Sequence, residues 1–105
     1  MADFYCDEVL TGRTAVEVVA ESERAVAFRH PKPRYPAQIM VISRQHLPSL
    51  LETEDLGMQG ELIQLVREVA LQVVRTHGAC RVIADLRSDG EFGHLEWQVV
   101  AGDEP

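Results

Sequence analysis

Residues 93–102, GHLEWQVVAG, alternate in character: His94, Glu96 and Gln98 share one parity, and Leu95, Trp97 and Val99 share the other. In a β-strand, alternate side chains lie on one face about 6.6–6.8 Å apart. An imidazole, a carboxyl and an amide would then form one polar row. A partly buried carboxyl has its pKa raised towards neutrality, and a neighbouring imidazole can accept or return a proton. Glu96 and His94 therefore have the makeup of an acid–base pair, or of a nucleophile with its proton partner. Joined by His30, they also have the composition of a two-histidine, one-carboxylate metal site. A strand whose polar side faces water gives the same alternation, so the pattern alone leaves all three readings open.

A second concentration of chemistry lies upstream. Between Arg24 and Leu51 there is no Asp or Glu, while the span holds Arg24, Arg29, Lys32, Arg34 and Arg44 together with His30 and His46. The whole chain carries a formal charge of −7, which argues against general nucleic-acid affinity through a basic surface. A basic stretch inside an acidic protein is either a solvated face or a local pocket for a small anion such as phosphate. Arg29, Lys32 and Arg44 are the cations this reading offers to an anionic group.

The elements that must hold these residues follow from periodicity. TAVEVVAES and AVAFRH read as strands joined by a turn at SER, and AQIMVIS is a continuous apolar run suited to a central strand. PKPRYP, with three of the five prolines, forces an extended and well-fixed loop. EDLGMQGELIQLVREVALQVVRTHG is the long helix: Leu62, Leu65, Val66, Val69 and Val73 form an apolar stripe. Thr53 or Asp55 can cap its start and Gly78 can end it, with His77 beside the helix's negative end. CRVIADLR and HLEWQVVA are two further strands around a turn at Asp89-Gly90, and DFYCDEVLTG is a short N-terminal helical turn. The order β-β-β-α-β-β predicts an α+β domain with an antiparallel sheet.

A chain of 105 residues has room for one core, so residues 1–105 are expected to form a single domain. The apolar content of 46% and charged content of 26% are those of a soluble globular protein. No apolar run approaches the roughly 18 residues of a membrane span. The N-terminus lacks a basic, then apolar, leader pattern, and a cytoplasmic location is expected. Cys6 and Cys80 are expected to be reduced core residues, with no spacing that fits structural zinc.

HLEWQVV resembles the histidine-triad (HIT) superfamily signature, His-x-His-x-His-x-x, with His94, Glu96 and Gln98 at the three histidine places. AVAFRHPKPRYPAQIMVISRQHL is similar to that family's Ala-Phe strand end, proline loop, apolar strand and basic-x-His tail. CRVIADLRSDG resembles the strand and Ser-Asp-Gly turn before the triad, and DFYCDEVLTG the opening Phe-x-Cys-x-Ile-x-x-Gly. The order holds over nearly the whole chain and places it nearest the small, dimeric, nucleotide-binding branch.

The resemblance implies a HIT-like fold: about five antiparallel strands, one long helix and a short N-terminal helix, paired across a two-fold axis into a homodimer. It implies a nucleotide-like or phosphorylated small-molecule substrate, with no nucleic acid or membrane as partner and no cofactor or metal. In that chemistry the middle histidine attacks an α-phosphate; here the place belongs to Glu96. The ribose-binding acid falls on His30, the histidine opening the apolar strand on Gln38, and the Asn of the fourth strand on Asp85. The turn holding Ser88, which in the family helps grip phosphate, is two residues shorter. Phe28, with Phe4 and Val26, falls near the nucleobase.

The expectation is a re-purposed pocket. Glu96, His94 and Gln98 form its catalytic row, and His30, Gln38, Asp85, Arg29, Lys32, Ser88 and Phe28 bind substrate in a small-molecule hydrolase or transferase. The alternatives are an inactive nucleotide- or anion-binding relative and a metal-dependent variant using His94, Glu96 and His30.

Overall fold

The computed structural model describes residues 10, 12, 15–45, 54–84 and 96–102. The expected N-terminal helical turn, His46 and the HLPSLLE segment, the Asp89-Gly90 turn, and the site candidates Asp85, Ser88 and His94 fall outside these residues.

The elements follow the expected order: β1 (Val18–Glu21), β2 (Ala25–Arg29), β3 (Ala37–Ser43), α1 (Leu56–His77), β4 (Arg81–Ile83) and β5 (Glu96–Ala101). The strands form one antiparallel sheet in the order β1-β2-β3-β5-β4. The continuous apolar run becomes the central strand β3, buried at every position. β1 begins later than the sequence pattern indicated and carries an irregularity between Val18 and Ala20. Among the described residues of the CRVIADLR stretch, β4 takes three, Arg81–Ile83.

Helix α1 starts at Asp55, whose Oδ1 accepts the Met58 N–H at 2.9 Å, satisfying one of the donors a helix start leaves open. It stops where Gly78 takes a left-handed φ of 86° and donates its N–H to the Val74 carbonyl. The stripe Leu62, Leu65, Val66, Val69 and Val73, with Met58, is buried against one face of the sheet. Burying each such leucine or valine contributes about 1.5–3 kcal/mol.

Parity sorts the sheet. Ala25, Ala27, Ala37, Ile39, Val41, Val99 and Ala101 face the helix, with Trp97 packed beside them. On the far face Val26, Phe28, Met40 and Ile42 form a second apolar cluster, covered by Leu10 and Val16. Gln38, Gln98 and Glu96 have the parity of this far face. Among the described residues no helix is long and apolar enough to cross a membrane.

Candidate functional site

The far face changes character along its length. Where Val26, Phe28, Met40 and Ile42 meet, it is apolar and covered. Towards the start of β3 it turns polar, and there a cavity of about 540 Å³ opens, lined by His30, Lys32, Arg34, Tyr35, Gln38, Ile83 and Gln98. The β2–β3 loop supplies the first four of these. Its prolines fix its course, and the backbone N–H of His30 donates to the Gln38 carbonyl at 2.9 Å, tying loop to sheet.

Strand register brings the amides together. Gln98 pairs with Met40 and Gln38 with Val100, so the two glutamines are diagonal neighbours on one face. Gln38 is only 8% exposed, and a buried amide must find partners. Its Oε1 accepts the Arg34 backbone N–H at 2.8 Å and its Nε2 donates to Gln98 Oε1 at 3.0 Å. Glu96, half-buried and opposite Ile42, lies two residues before Gln98 on the same face.

His30 is fixed in a comparable way. The Lys32 backbone N–H donates to its Nδ1 at 3.0 Å, so in the neutral ring the proton sits on Nε2. Burial lowers the His30 pKa from the ordinary histidine value, and the nearby Arg34 charge acts in the same direction. Among the described residues no carboxylate pairs with Lys32 or Arg34, and none lines the cavity. The lining thus presents cations and N–H donors, a composition that stabilises bound anions.

Of the expected site residues, the structure brings together His30, Lys32, Gln38 and Gln98, with Glu96 continuing the row. Two do not join them. Arg29 has the parity of Ala25 and Ala27, lies at a smaller hollow beside the end of α1 with Gln72, Val73, Thr76 and His77, and pairs with Glu17 at 2.9 Å. Phe28 is on the site face but 0% exposed, held among Val26, Met40 and Ile42. It supports the floor and has no surface to offer a base. Arg44 is also spoken for, bonded to Glu21 at 2.6 Å and to the Ser22 carbonyl.

The sequence reading did not single out Arg34, Ile83 or Arg81 for the site. Arg34 was signalled by the acid-free run itself. Arg81 could be found only in three dimensions: its guanidinium lies 5.9 Å from the Tyr35 ring centroid and donates to the Tyr35 hydroxyl at 3.3 Å, bracing the loop from β4. Among the described residues no three His, Cys, Asp or Glu side chains gather as a metal site would require. Cys80 is a free, half-buried thiol.

A family model described as the HIT domain matches residues 12–103. This chain belongs to the HIT family. An uncharacterised HIT-like protein of Synechococcus elongatus is 31% identical over 98 residues, covering 90% of this chain and 86% of the relative. A histidine triad protein from Clostridium difficile, of known structure, is 25% identical with a TM-score of 0.78, covering 100% of this chain and 94% of that one. A HIT family hydrolase from Legionella pneumophila superposes with a TM-score of 0.79 at 19% identity, covering 98% and 95% of the two chains. The HIT fold thus accounts for the five-stranded sheet and the long helix α1.

Proposed function

We propose that this HIT-family chain binds a small phosphorylated, nucleotide-like molecule in the cavity below the β2–β3 loop and acts on it as a hydrolase or transferase. One observation carries the reading: in a chain of net charge −7, this cavity is lined by His30, Lys32, Arg34, Gln38 and Gln98 and, among the described residues, by no carboxylate. Such a lining concentrates anions where the rest of the surface repels them.

In this reading Gln98 and the loop cations hold phosphoryl oxygens, and Glu96 serves as general base or nucleophile with His94 as its proton partner. Asp85 and Ser88 contribute from the segment between β4 and β5. As a base, Glu96 takes the proton from an attacking water or alcohol while the donors hold the charge developing on phosphorus-bound oxygen. As a nucleophile it would displace the amine, alcohol or phosphate leaving group from phosphorus and form an acyl phosphate that water then hydrolyses, an intermediate unlike the nucleotidylated imidazole of the family signature. Ordinary phosphoramidase chemistry is therefore not the activity this row fits best. The outer strand β4, where Val82 is 44% exposed, suits pairing with a second copy, which sedimentation would test.

The functional test combines calorimetric titration with nucleoside monophosphates and a turnover screen of phosphoramidates and dinucleotides. The wild-type protein is expected to bind a monophosphate and turn over at least one substrate, with turnover lost in Glu96→Gln and His94→Ala. Unchanged turnover in Glu96→Gln removes Glu96 from the chemistry. Binding without turnover of any substrate leaves a HIT-family binding protein.

A further inference from the structure

We infer that Gln38 is a positioning residue whose amide passes the polarity of one backbone N–H to Gln98, so that Gln98 joins His30, Lys32 and Arg34 in presenting donors to the cavity and the four together select a fully ionised oxyanion. The inference rests on the pocket reading above and deepens it.

The polarity can be followed atom by atom. A backbone N–H only donates. The atom 2.8 Å from the Arg34 nitrogen must therefore be the Gln38 oxygen. That turns the Gln38 NH₂ towards Gln98, and the atom it meets at 3.0 Å must be the Gln98 oxygen. The Gln98 NH₂ is what remains, on a residue that lines the cavity, and among the described residues no acceptor takes it. His30 repeats the logic: the Lys32 N–H occupies Nδ1, leaving Nε2–H as the free end of the neutral ring. Two neutral side chains, each able in principle to donate or accept, are thus both set as donors by the backbone of one proline-fixed loop.

A ligand group facing Gln98, His30, Lys32 and Arg34 meets hydrogens from every polar side. A dianionic phosphoryl group, with acceptors only, satisfies all of them. A group that must itself donate, such as a phosphoramidate NH₂, leaves one N–H facing another and is disfavoured.

The test reverses the relay. In Gln38→Glu the side chain still accepts from Arg34 but cannot donate, so Gln98 turns its NH₂ to the new carboxylate and its oxygen to the cavity. The added charge alone also weakens anion binding. The same substitution is therefore made in a Gln98→Met background, where no amide can turn. With adenosine 5′-monophosphate and inorganic phosphate as probes, the relay predicts that Gln38→Glu costs at least about threefold more affinity in the wild-type background than in Gln98→Met. Equal losses in the two backgrounds overturn the relay and leave the pocket reading intact. Failure of the wild-type protein to bind either probe overturns both.

A second measurement needs no variant to fold. In ¹⁵N-labelled wild-type protein, the Gln98 side-chain NH₂ resonances should shift saturably on phosphate addition, further than those of Gln38. Binding without a shift at Gln98 overturns the proposal.

Discussion

Two groups of cations come from the same basic run and end in opposite states. Arg24, Arg29 and Arg44 each meet a carboxylate: Asp55, Glu17 and Glu21 respectively. Around Arg24 the pairing is denser, because Glu61 on α1 also accepts from the Ser22 hydroxyl and the Arg24 backbone N–H. His30, Lys32 and Arg34 sit on the proline loop around a cavity that no carboxylate among the described residues lines. The first group joins the β1–β2 turn, β1 and β3 to one another and to the start of α1. The second meets no acid among the described residues, so within them its charge is left to act on a ligand. A basic stretch in sequence is therefore not one surface: the structural use of a cation and its use for a ligand are separated by whether the fold brings an acid to it.

The largest effect that would sharpen this contrast is charge reversal in the unpaired group. Lys32→Glu with Arg34→Glu should lower affinity for inorganic phosphate by about a hundredfold, roughly tenfold for each charge. Thermal stability should hardly change. Arg29→Ala or Arg44→Ala should leave phosphate affinity within about twofold, since each arginine is already neutralised by its acid. Equal effects from the two groups would break the comparison.

Next in size is the junction that holds the loop. Gly102 has φ 88°, and a Cβ there would overlap the ring of Pro36. Gly102→Ala should cost about 1–2 kcal/mol from the left-handed backbone alone, read by denaturant unfolding. It should also weaken phosphate binding by displacing the loop that carries Lys32 and Arg34. Full stability with unchanged affinity would show that the loop does not depend on this contact.

Smaller effects are expected from pH. The folded-state pKa of His30 lies below the ordinary value of about 6.5. Between those two values the unfolded chain binds more protons, so stability falls as pH drops through that window. Affinity for sulfate, whose charge is constant there, should rise as His30 gains charge. His30→Gln should remove both trends, and their persistence would assign them elsewhere.

The paired group behaves oppositely. The Arg24 guanidinium holds the Asp55 carboxyl below its usual range, and the Ser22 hydroxyl does the same for Glu61. Their contributions are present above the ordinary carboxylate range and are lost as pH falls through the lowered values. Asp55→Asn, which keeps the cap acceptor but not the ion pair, should flatten that acid limb and lower stability at neutral pH by the same small amount, leaving the low-pH stability nearly unchanged.

Much of the fold was legible because its signals are local. The run AQIMVIS suited a central strand covered on at least one face, and it is β3, buried on both. Asp55 and Gly78 bound the helix because an N-cap acceptor and a left-handed residue act within a few positions. β4 was overextended because Arg81–Ile83 is too short for alternation to mark its end. Within the site, Gln38, Gln98 and His30 were legible through the family pattern. Arg29 was drawn in as a cation of the acid-free run, although strand parity already placed it on the side of Ala25 and Ala27. Phe28 shares the parity of the site but is completely buried, with Leu10 and Val16 packed against its cluster, which no local pattern reports.

By itself, the sequence determined the order of elements, the polar parity of Glu96 and Gln98, and the acid-free run that supplies the cavity's cations. Each is a property of neighbours along the chain, where periodicity and turn chemistry act. Only the tertiary structure decided which arginines meet an acid and that Gln38 meets Gln98 across 60 residues. Those contacts depend on strand register, which is set when both faces of β3 are buried together. The direction of each hydrogen bond then follows from the backbone N–H that the folded loop presents.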